Sequence, residues 1–108
     1  MERIVNLTPH SIDVYYQGEV VRTIQSDGLA RCTSIDEELD QLAGLPIVHM
    51  DSEAVEGLPA EEPGTYYIVS SMTAQAAVKS GRSDLLVPTK LVRDLNNRVI
   101  GCEVFCKL

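Results

Sequence analysis

Residues 65–79, TYYIVSSMTAQAAVK, place a strand directly before a helix. Residues 65–69 are all β-branched or aromatic and include no charged residue, which is typical of a central strand. Residues 74–79 are rich in helix formers, and the pair Ser80-Gly81 that follows them is a helix stop. This stretch therefore predicts one helix near residues 72–80 that follows a buried strand.

Three short strands are predicted upstream of this unit. Residues 3–7 form the first, and Pro9 limits it because proline cannot donate to a strand ladder. Apolar and polar side chains alternate over residues 12–16, which is typical of a half-buried strand. The turn Gln17-Gly18 then leads into residues 20–24. The last two strands are predicted to form a β-hairpin.

Strands are also predicted downstream of the helix. Residues 85–87 form a short buried strand that Pro88 closes. Residues 91–95 and 98–105 flank the pair Asn96-Asn97. Because asparagine tolerates positive φ, this pair fits a tight type I′ turn and predicts a second hairpin.

Residues 30–50 support two interpretations. In the first, residues 34–37 form a capping box, and Leu39 and Leu42 continue a helix that Gly44 ends. In the second, the chain forms a strand, an exposed acidic turn and another strand. The sequence leaves open which of these describes residues 34–43.

The second interpretation is favoured because few apolar residues mark a helix face. It places strands at residues 29–35 and 45–50. Residues 51–64 hold five carboxylates together with two prolines and two glycines. Proline and glycine break helices and the charge keeps the segment solvated, so a loop is predicted there, with at most a short strand near Ala54-Val55.

The chain has 108 residues, which is the length of one domain, so we expect residues 1–108 to form a single domain. Its predicted fold class is α+β: a β-rich domain with six to eight short, mainly antiparallel strands and one helix near residues 72–80. The alternative arrangement is a small, partly open barrel that the helix plugs.

The net charge of −7 excludes two classes of partner. General nucleic-acid binding needs clustered Lys and Arg, and anionic membranes repel an acidic surface. The charge is unevenly divided, however. Residues 1–63 carry thirteen acidic and three basic side chains, whereas residues 64–108 carry three acidic and six basic ones. A compact anionic ligand therefore remains compatible with the C-terminal half.

The cysteines and the apolar runs indicate a compartment. The chain has three cysteines, Cys32, Cys102 and Cys106. Their odd number argues against a disulfide framework, and the absence of a CxxC pair argues against a zinc site. The first residues lack the apolar stretch of a signal peptide, and no run approaches the roughly 20 apolar residues of a membrane span. We expect a cytoplasmic protein with reduced thiols.

The junction between the predicted strand and helix is the strongest candidate site. The first backbone N–H groups of a helix lack internal partners, and Ser70, Ser71 and Thr73 add hydroxyls there. Together with the helix dipole, these groups can hold a phosphate or a carboxylate. Arg82 can add a bidentate contact to the same anion. The simpler interpretation is that Ser70 or Ser71 only caps the helix.

Other candidate residues carry weaker signals. His10 lies at a turn, where its ring can contact a ligand, act as a general base or hydrogen-bond the loop. His49 adds a second imidazole at no fixed distance, so no metal site is predicted. Ser71 lacks a nucleophile elbow, and Cys32 has only Arg31 beside it. We expect no cofactor and no catalytic residue, and a binder rather than an enzyme.

Five segments resemble those of a family of small uncharacterised proteins from bacteria, phages and prophages. They are NLTPH at 6–10, EGLP at 56–59, YIVSS at 67–71, DLLVP at 84–88, and VRD at 92–94 with RVIGC at 98–102. The resemblance spans nearly the whole chain and implies no activity. This sequence departs most from the family at residues 30–44. The family is strand-like there, which also favours the strand interpretation.

The resemblance implies a context for function. Small phage-borne domains without catalytic motifs are often binders, so we expect a non-enzymatic protein that holds a phosphate-bearing, nucleotide-derived molecule. In this hypothesis it is a counter-defence sponge that sequesters a nucleotide immune signal in the host cytoplasm. A sponge needs a pocket in a homo-oligomer. Its ligand-binding residues would be Ser70, Ser71, Thr73, Arg82, His10 and Arg93.

Two alternative functions remain. The first is an acidic protein–protein interaction module, or an inhibitor of a host protein, because carboxylates are concentrated at residues 36–40 and 51–62. The second is a small hydrolase that uses His10.

Overall fold

A computed structural model of the chain describes residues 2–108, with the side chains of residues 34–42 and 47–54 left outside the description. Eight strands and one helix follow one another in this range. They are β1 (Arg3–Asn6), β2 (Ile12–Tyr16), β3 (Glu19–Ile24), β4 (Arg31–Leu42), β5 (Leu45–Glu56), β6 (Thr65–Ile68), α1 (Ser71–Lys79), β7 (Leu85–Arg93) and β8 (Val99–Lys107).

Six strands form one mixed sheet in the order β1-β6-β7-β8-β2-β3, and this sheet curls into a half-barrel. β7 pairs antiparallel with β8, and β2 with β3, whereas β6 is parallel to both β1 and β7. A parallel pair needs a crossover connection, which α1 supplies between β6 and β7. The predicted β-rich α+β fold with one helix is confirmed, and most paired residues are antiparallel.

The chain that leaves β3 returns to β1, at the opposite edge of the sheet. Asn6 forms an isolated parallel bridge with Ser26. The Asp27 N–H donates to the Asn6 carbonyl at 2.8 Å, and the Ala30 N–H donates to the Leu7 carbonyl at 3.0 Å. These bonds hold the two edges of the half-barrel together at one end, and they direct the following strand β4 past the start of α1.

β4 and β5 form a separate two-stranded sheet, called the ribbon below. Its turn is Ala43-Gly44, whose φ angles of 52° and 80° are those of a type I′ turn. The strand interpretation is therefore correct and the capping-box helix is wrong. The acidic residues 36–40 lie within β4 rather than in the turn. β5 also continues to Glu56, so the predicted loop begins only at Gly57.

The hydrophobic core lies between the sheet, α1 and the base of the ribbon. Fully burying one Val or Leu side chain stabilises the fold by about 1.5–3 kcal/mol. The alanines of α1 let the helix approach the sheet closely. The buried members of the core are Val5, Leu7, Ala30, Tyr67, Val69, Ala74, Ala77 and Leu85, with Val55, Leu58 and Val87 packed against them.

β7 continues through Pro88, where the sequence predicted a stop. The Leu86 carbonyl accepts from the Val69 N–H at 3.0 Å, so the backbone groups of Leu86 point toward β6. Pro88, two residues on, points to the same side. β6 has ended at Ile68 by then, so the missing N–H of proline breaks no ladder bond. On its other side, Pro88 keeps its pairing with β8.

The turn between β7 and β8 is tight, but it is not the predicted type I′. Only Asn97 in this turn has positive φ, at 62°. The Asn97 N–H donates to the Asp94 carbonyl at 3.0 Å. The Asp94 carboxylate also accepts from the N–H groups of Asn96 and Arg98, at 2.8 and 3.0 Å. This side-chain cap favours a turn with one left-handed residue rather than two.

The molecule is more extended than its length requires. Its radius of gyration is 16.9 Å, against about 13 Å for a compact domain of this length. The ribbon explains the difference, because strands of 12 residues span roughly 40 Å. Among residues 2–108 there is no helix with the length and apolar character needed to cross a membrane.

Candidate functional site

The N-terminus of α1 lies at the carboxyl end of β6, as the sequence predicts. Ser70 is the N-cap: its Oγ accepts from the Thr73 N–H at 3.3 Å and donates to Thr73 Oγ1 at 2.9 Å. Thr73 is buried, with 2% of its surface exposed. Ser71 is exposed, and its Oγ accepts from Gln75 Nε2 at 3.1 Å. The capping interpretation of Ser70 is therefore correct, and the cap also engages Thr73.

Capping by Ser70 leaves two backbone donors at the start of the helix. The N–H groups of Ser71 and Met72 have no partner within α1, because the helix has no preceding carbonyls for them. Ser70 and Met72, the two neighbours of Ser71 in the chain, line a cleft of about 180 Å³. We call this the α1 cleft; it is lined by Leu7, Thr8, Pro9, Leu29, Ala30, Arg31, Cys32, Ser70, Met72 and Thr73.

The cation at the α1 cleft is Arg31, which the sequence did not single out as a ligand. The bond between Ala30 and Leu7 brings the start of β4 to this position. Arg31 Nε lies 3.5 Å from Glu56 Oε2, and both side chains are more than half exposed. Exposed ion pairs of this kind are weak, so the guanidinium is free to turn toward an anion in the cleft.

Arg82 lies elsewhere. It follows the C-terminal end of α1, and a helix of nine residues is about 13 Å long, so Arg82 and Ser70 lie at opposite ends. Its Nε and Nη2 donate to the two carboxylate oxygens of Asp84, and Glu61 lies 3.5 Å from the same guanidinium. The hydrogen bonds to Asp84 raise the pKa of Arg82. The predicted pairing of Arg82 with the helix N-terminus does not form.

His10 and Arg93 also lie outside the α1 cleft. The carbonyl of His10, rather than its ring, is used: it accepts from Asn6 Nδ2 at 2.9 Å and from Thr8 Oγ1 at 3.0 Å. Arg93 is exposed on β7, where its Nη1 donates to the Asn97 carbonyl at 3.0 Å. Of the six predicted ligand-binding residues, only the three at the start of α1 adjoin one another.

A second cavity, called the groove below, lies between β2, β7 and β8. It has a volume of about 320 Å³ and a mainly apolar lining. Burial raises the pKa of the Cys102 thiol in its wall. The groove is lined by Thr8, His10, Ser11, Ile12, Pro88, Leu91, Val99, Ile100, Gly101 and Cys102.

A third cavity, of about 390 Å³, lies beside the amino end of β6. Its wall carries the carboxylates of Glu61, Glu62 and Asp84. The Lys107 ammonium in the same wall lies 5.2 Å from the centre of the Tyr66 ring. Even with the Arg82 guanidinium paired to Asp84 and close to Glu61, these three carboxylates outnumber the two cations, so the cavity is unsuited to an anion.

The described side chains suggest no metal centre and no catalytic pair. Within the described part of the chain, no group of three His, Cys, Asp or Glu residues could hold a metal ion. The His10 ring forms no hydrogen bond with a described serine or cysteine. His49, the other histidine, belongs to the side chains outside the description.

Comparison with known proteins adds no function. No family model, no curated protein and no solved structure matches this chain. The resemblance to small bacterial and phage proteins therefore remains a prediction from the sequence. The α1 cleft is accordingly the candidate site on the strength of its own geometry.

Proposed function

We propose that this chain is a non-enzymatic binder of a small phosphate-bearing ligand, held in the α1 cleft. The observation that carries the proposal is that Arg31 lines the same cleft as Ser70 and Met72, at the N-terminus of α1. Helix N-termini favour anions through these N–H groups and the helix dipole, and a guanidinium can bind two phosphate oxygens at once.

The size of the α1 cleft indicates how such a ligand sits. A cavity of about 180 Å³ is smaller than the roughly 300–1,000 Å³ typical of sites for drug-sized molecules. It therefore suits the phosphate, and the rest of the ligand extends outward. Leu29 and Met72 flank the cleft with 48% and 67% of their surfaces exposed, and they offer an apolar surface to a base or sugar.

The ligand class follows from this division. A nucleotide-derived molecule combines a phosphate with a planar base whose faces suit apolar contact. Sequestration of such a signal is the biological role that we propose. One chain leaves the outer part of this ligand open to water. A second chain placed over the cleft would enclose it, in keeping with a homo-oligomeric sponge.

Calorimetric titration with a ligand panel tests the proposal. The panel holds inorganic phosphate, ADP-ribose, cyclic ADP-ribose isomers and cyclic dinucleotides. We expect saturable binding of one nucleotide-derived ligand, and its recovery intact by mass spectrometry. If no panel member binds, or if the bound ligand is recovered chemically altered, the proposal of a non-enzymatic binder is wrong.

Three variants connect binding to the α1 cleft. Arg31→Ala should lower the affinity about tenfold or more, since hydrogen bonds to charged groups contribute roughly 1.5–3 kcal/mol. Ser71→Pro removes one free N–H at the first helical position, where proline is tolerated, and should lower the affinity several-fold. Ser71→Ala keeps that N–H and should bind normally. Arg22→Ala, on the exposed strand β3, is the control for loss of one exposed positive charge.

A further inference from the structure

The end of the β7–β8 hairpin presents an uncovered apolar surface. Leu91, Val99 and Ile100 line the groove, and between 40% and 49% of each of their surfaces is exposed. Leu95, in the turn of the same hairpin, is fully exposed. Contiguous exposed apolar surface with a polar rim usually marks an interaction site. This surface therefore favours a partner over water.

The rim of this surface is positively charged. Lys90, Arg93 and Arg98 are all exposed around the hairpin end. Asp94, the acidic residue of the turn, uses its carboxylate to accept two backbone N–H groups. The hairpin thus combines apolar contact area with a net positive charge, which fits a partner that is both apolar and acidic.

The ribbon of this chain has those two properties. Residues 32–55 contain six carboxylates and no Lys or Arg. Residues 43–46, at its turn, are exposed, and Leu45 has 63% of its surface accessible. A two-stranded ribbon without further support is only marginally stable in water, so a docking surface for its far end would stabilise it.

We propose that the groove of one copy receives the ribbon turn of a second copy, and that the exchange is reciprocal. Leu45 enters the groove beside Leu91 and Ile100. The net negative charge of residues 32–55 complements the cations of the β7–β8 hairpin. Two such contacts, related by a twofold axis, close the assembly as a dimer. The charge complementarity between ribbon and hairpin end selects a second copy as the occupant.

Analytical ultracentrifugation over a concentration series tests this dimer. We expect the wild-type chain to dimerise, and to dissociate more readily as the salt concentration rises. Leu45→Asp and Leu91→Asp should each be monomeric. Val20→Asp is the matched control, because Val20 is an apolar strand residue with 48% exposure against 47% for Leu91, and it should still dimerise.

Mixing the two defective variants provides the sharper test. The ribbon of Leu91→Asp and the groove of Leu45→Asp are both intact, so the mixture retains one complete contact. We expect heterodimers in native mass spectrometry at concentrations where each variant alone is monomeric. Circular dichroism of each variant checks that it is folded, and Arg93→Glu should weaken the dimer if Leu91→Asp proves unfolded.

Three outcomes would overturn the inference. They are a wild-type chain that stays monomeric at all concentrations, a dimer that survives both substitutions, and a mixture that fails to form heterodimers. A ribbon that binds only a different basic protein would appear as the first outcome. Arg31→Ala should leave the dimer unchanged, so failure of the ligand proposal and failure of this one are distinguishable.

Discussion

Arg82 and Asp84 form a two-point ion pair, in which Nε and Nη2 donate to separate carboxylate oxygens at 3.0 and 2.7 Å. Asp84 has 5% of its surface exposed, and its carbonyl accepts from the Tyr67 N–H at 2.9 Å. The pair therefore fixes the segment between α1 and β7 against the central strand β6. Its role in the fold explains why Arg82 does not reach the α1 cleft.

Loss of this ion pair should destabilise the fold. Arg82→Ala leaves the Asp84 carboxylate buried without its main partner, and we expect a loss of about 2 kcal/mol in the free energy of unfolding. Arg82→Lys should lower the free energy of unfolding by a smaller amount, because an ammonium keeps the charge but cannot form the two-point contact. Urea denaturation measures both. Substitution of the exposed Arg22 by alanine should change the free energy of unfolding by less than about 0.5 kcal/mol. An equal effect of Arg82→Ala and Arg22→Ala would contradict this prediction.

The pH dependence of the Arg82 pair has a definite sign. The ordinary pKa of arginine lies far above neutral pH, and the pKa of Arg82 is raised further. The charged pair therefore contributes its full stabilisation at every pH below the ordinary arginine pKa. That stabilisation is lost only as the pH rises through the raised pKa of Arg82. The difference in stability between wild type and Arg82→Ala should therefore be constant through the neutral range. A difference that shrinks as the neutral range is crossed would argue against the charged pair as its source.

Asn6 should be among the most sensitive residues of the chain. It is fully buried, and its Nδ2 donates to the carbonyls of His10 and Ile24 at 2.9 and 3.0 Å. Its Oδ1 accepts from the N–H and Oγ1 of Thr8. Asn6→Ala leaves these groups without partners and should lower the free energy of unfolding by about 3 kcal/mol. Thermal and urea unfolding measure the loss.

Asn6→Asp sharpens the same prediction. It preserves the shape and the acceptor toward Thr8, but it places a carboxylate oxygen against the carbonyls of His10 and Ile24. We expect it to be at least as destabilising as Asn6→Ala at neutral pH. Thr23→Ala removes an exposed side-chain bond and is the control, with little expected effect. If Asn6→Asp were tolerated, the four-bond role of Asn6 would be refuted.

Gly57 should tolerate no side chain. Its φ is +82°, and an added Cβ would lie far inside van der Waals contact with the Leu29 carbonyl oxygen. Gly44 has a similar φ of +80° but open space around it. Gly44→Ala should cost about 1 kcal/mol for the backbone conformation alone. Gly57→Ala adds a steric clash and should cost clearly more, as measured by urea unfolding; equal costs would contradict the close approach.

The cysteines should differ sharply in reactivity. Cys106 is exposed, whereas Cys102 is fully buried and burial raises the pKa of its thiol. A thiol reagent should therefore modify Cys106 in the folded protein and Cys102 only after unfolding, because the thiolate is the reactive form. Mass spectrometry of the labelled protein locates the modified residue. Rapid labelling of Cys102 without unfolding would contradict this prediction.

Stability should fall at alkaline pH for the same reason. The raised pKa of Cys102 means that its contribution is present below the ordinary thiol pKa, about 8.5, and is lost as the pH rises toward the raised value. Cys102→Ala should remove this part of the alkaline slope, and Cys106→Ala should not. Identical slopes in all three proteins would exclude Cys102 as the source.

Local patterns predicted most of the elements correctly. The alternation at residues 12–16 and the helix formers at 74–79 gave β2 and α1, because each depends on neighbours in the chain. The ribbon was ambiguous because a capping-box pattern and an extended strand share the same residues. Ala43-Gly44 adopts a type I′ turn, and this turn keeps the acids of residues 36–40 within β4.

The candidate site was less predictable. The spacing of Arg82 and Asp84 contained a usable signal, since residues two apart in extended chain point to the same side. Arg31 carried none. It reaches the α1 cleft only because the segment after β3 bonds to Leu7, more than twenty positions earlier, and no local pattern records that return.

The parallel pairing of β1 with β6 also governs how the chain must fold. Arg3 lies opposite Thr65, and Val14 opposite Cys102, so both pairings close long stretches of chain. The entropy of closing these loops is lost before the long-range contacts return any stability. We therefore expect assembly of the sheet to be slow and to limit the rate of folding. The β2–β3 and β7–β8 hairpins form early, and strand β1 docks last.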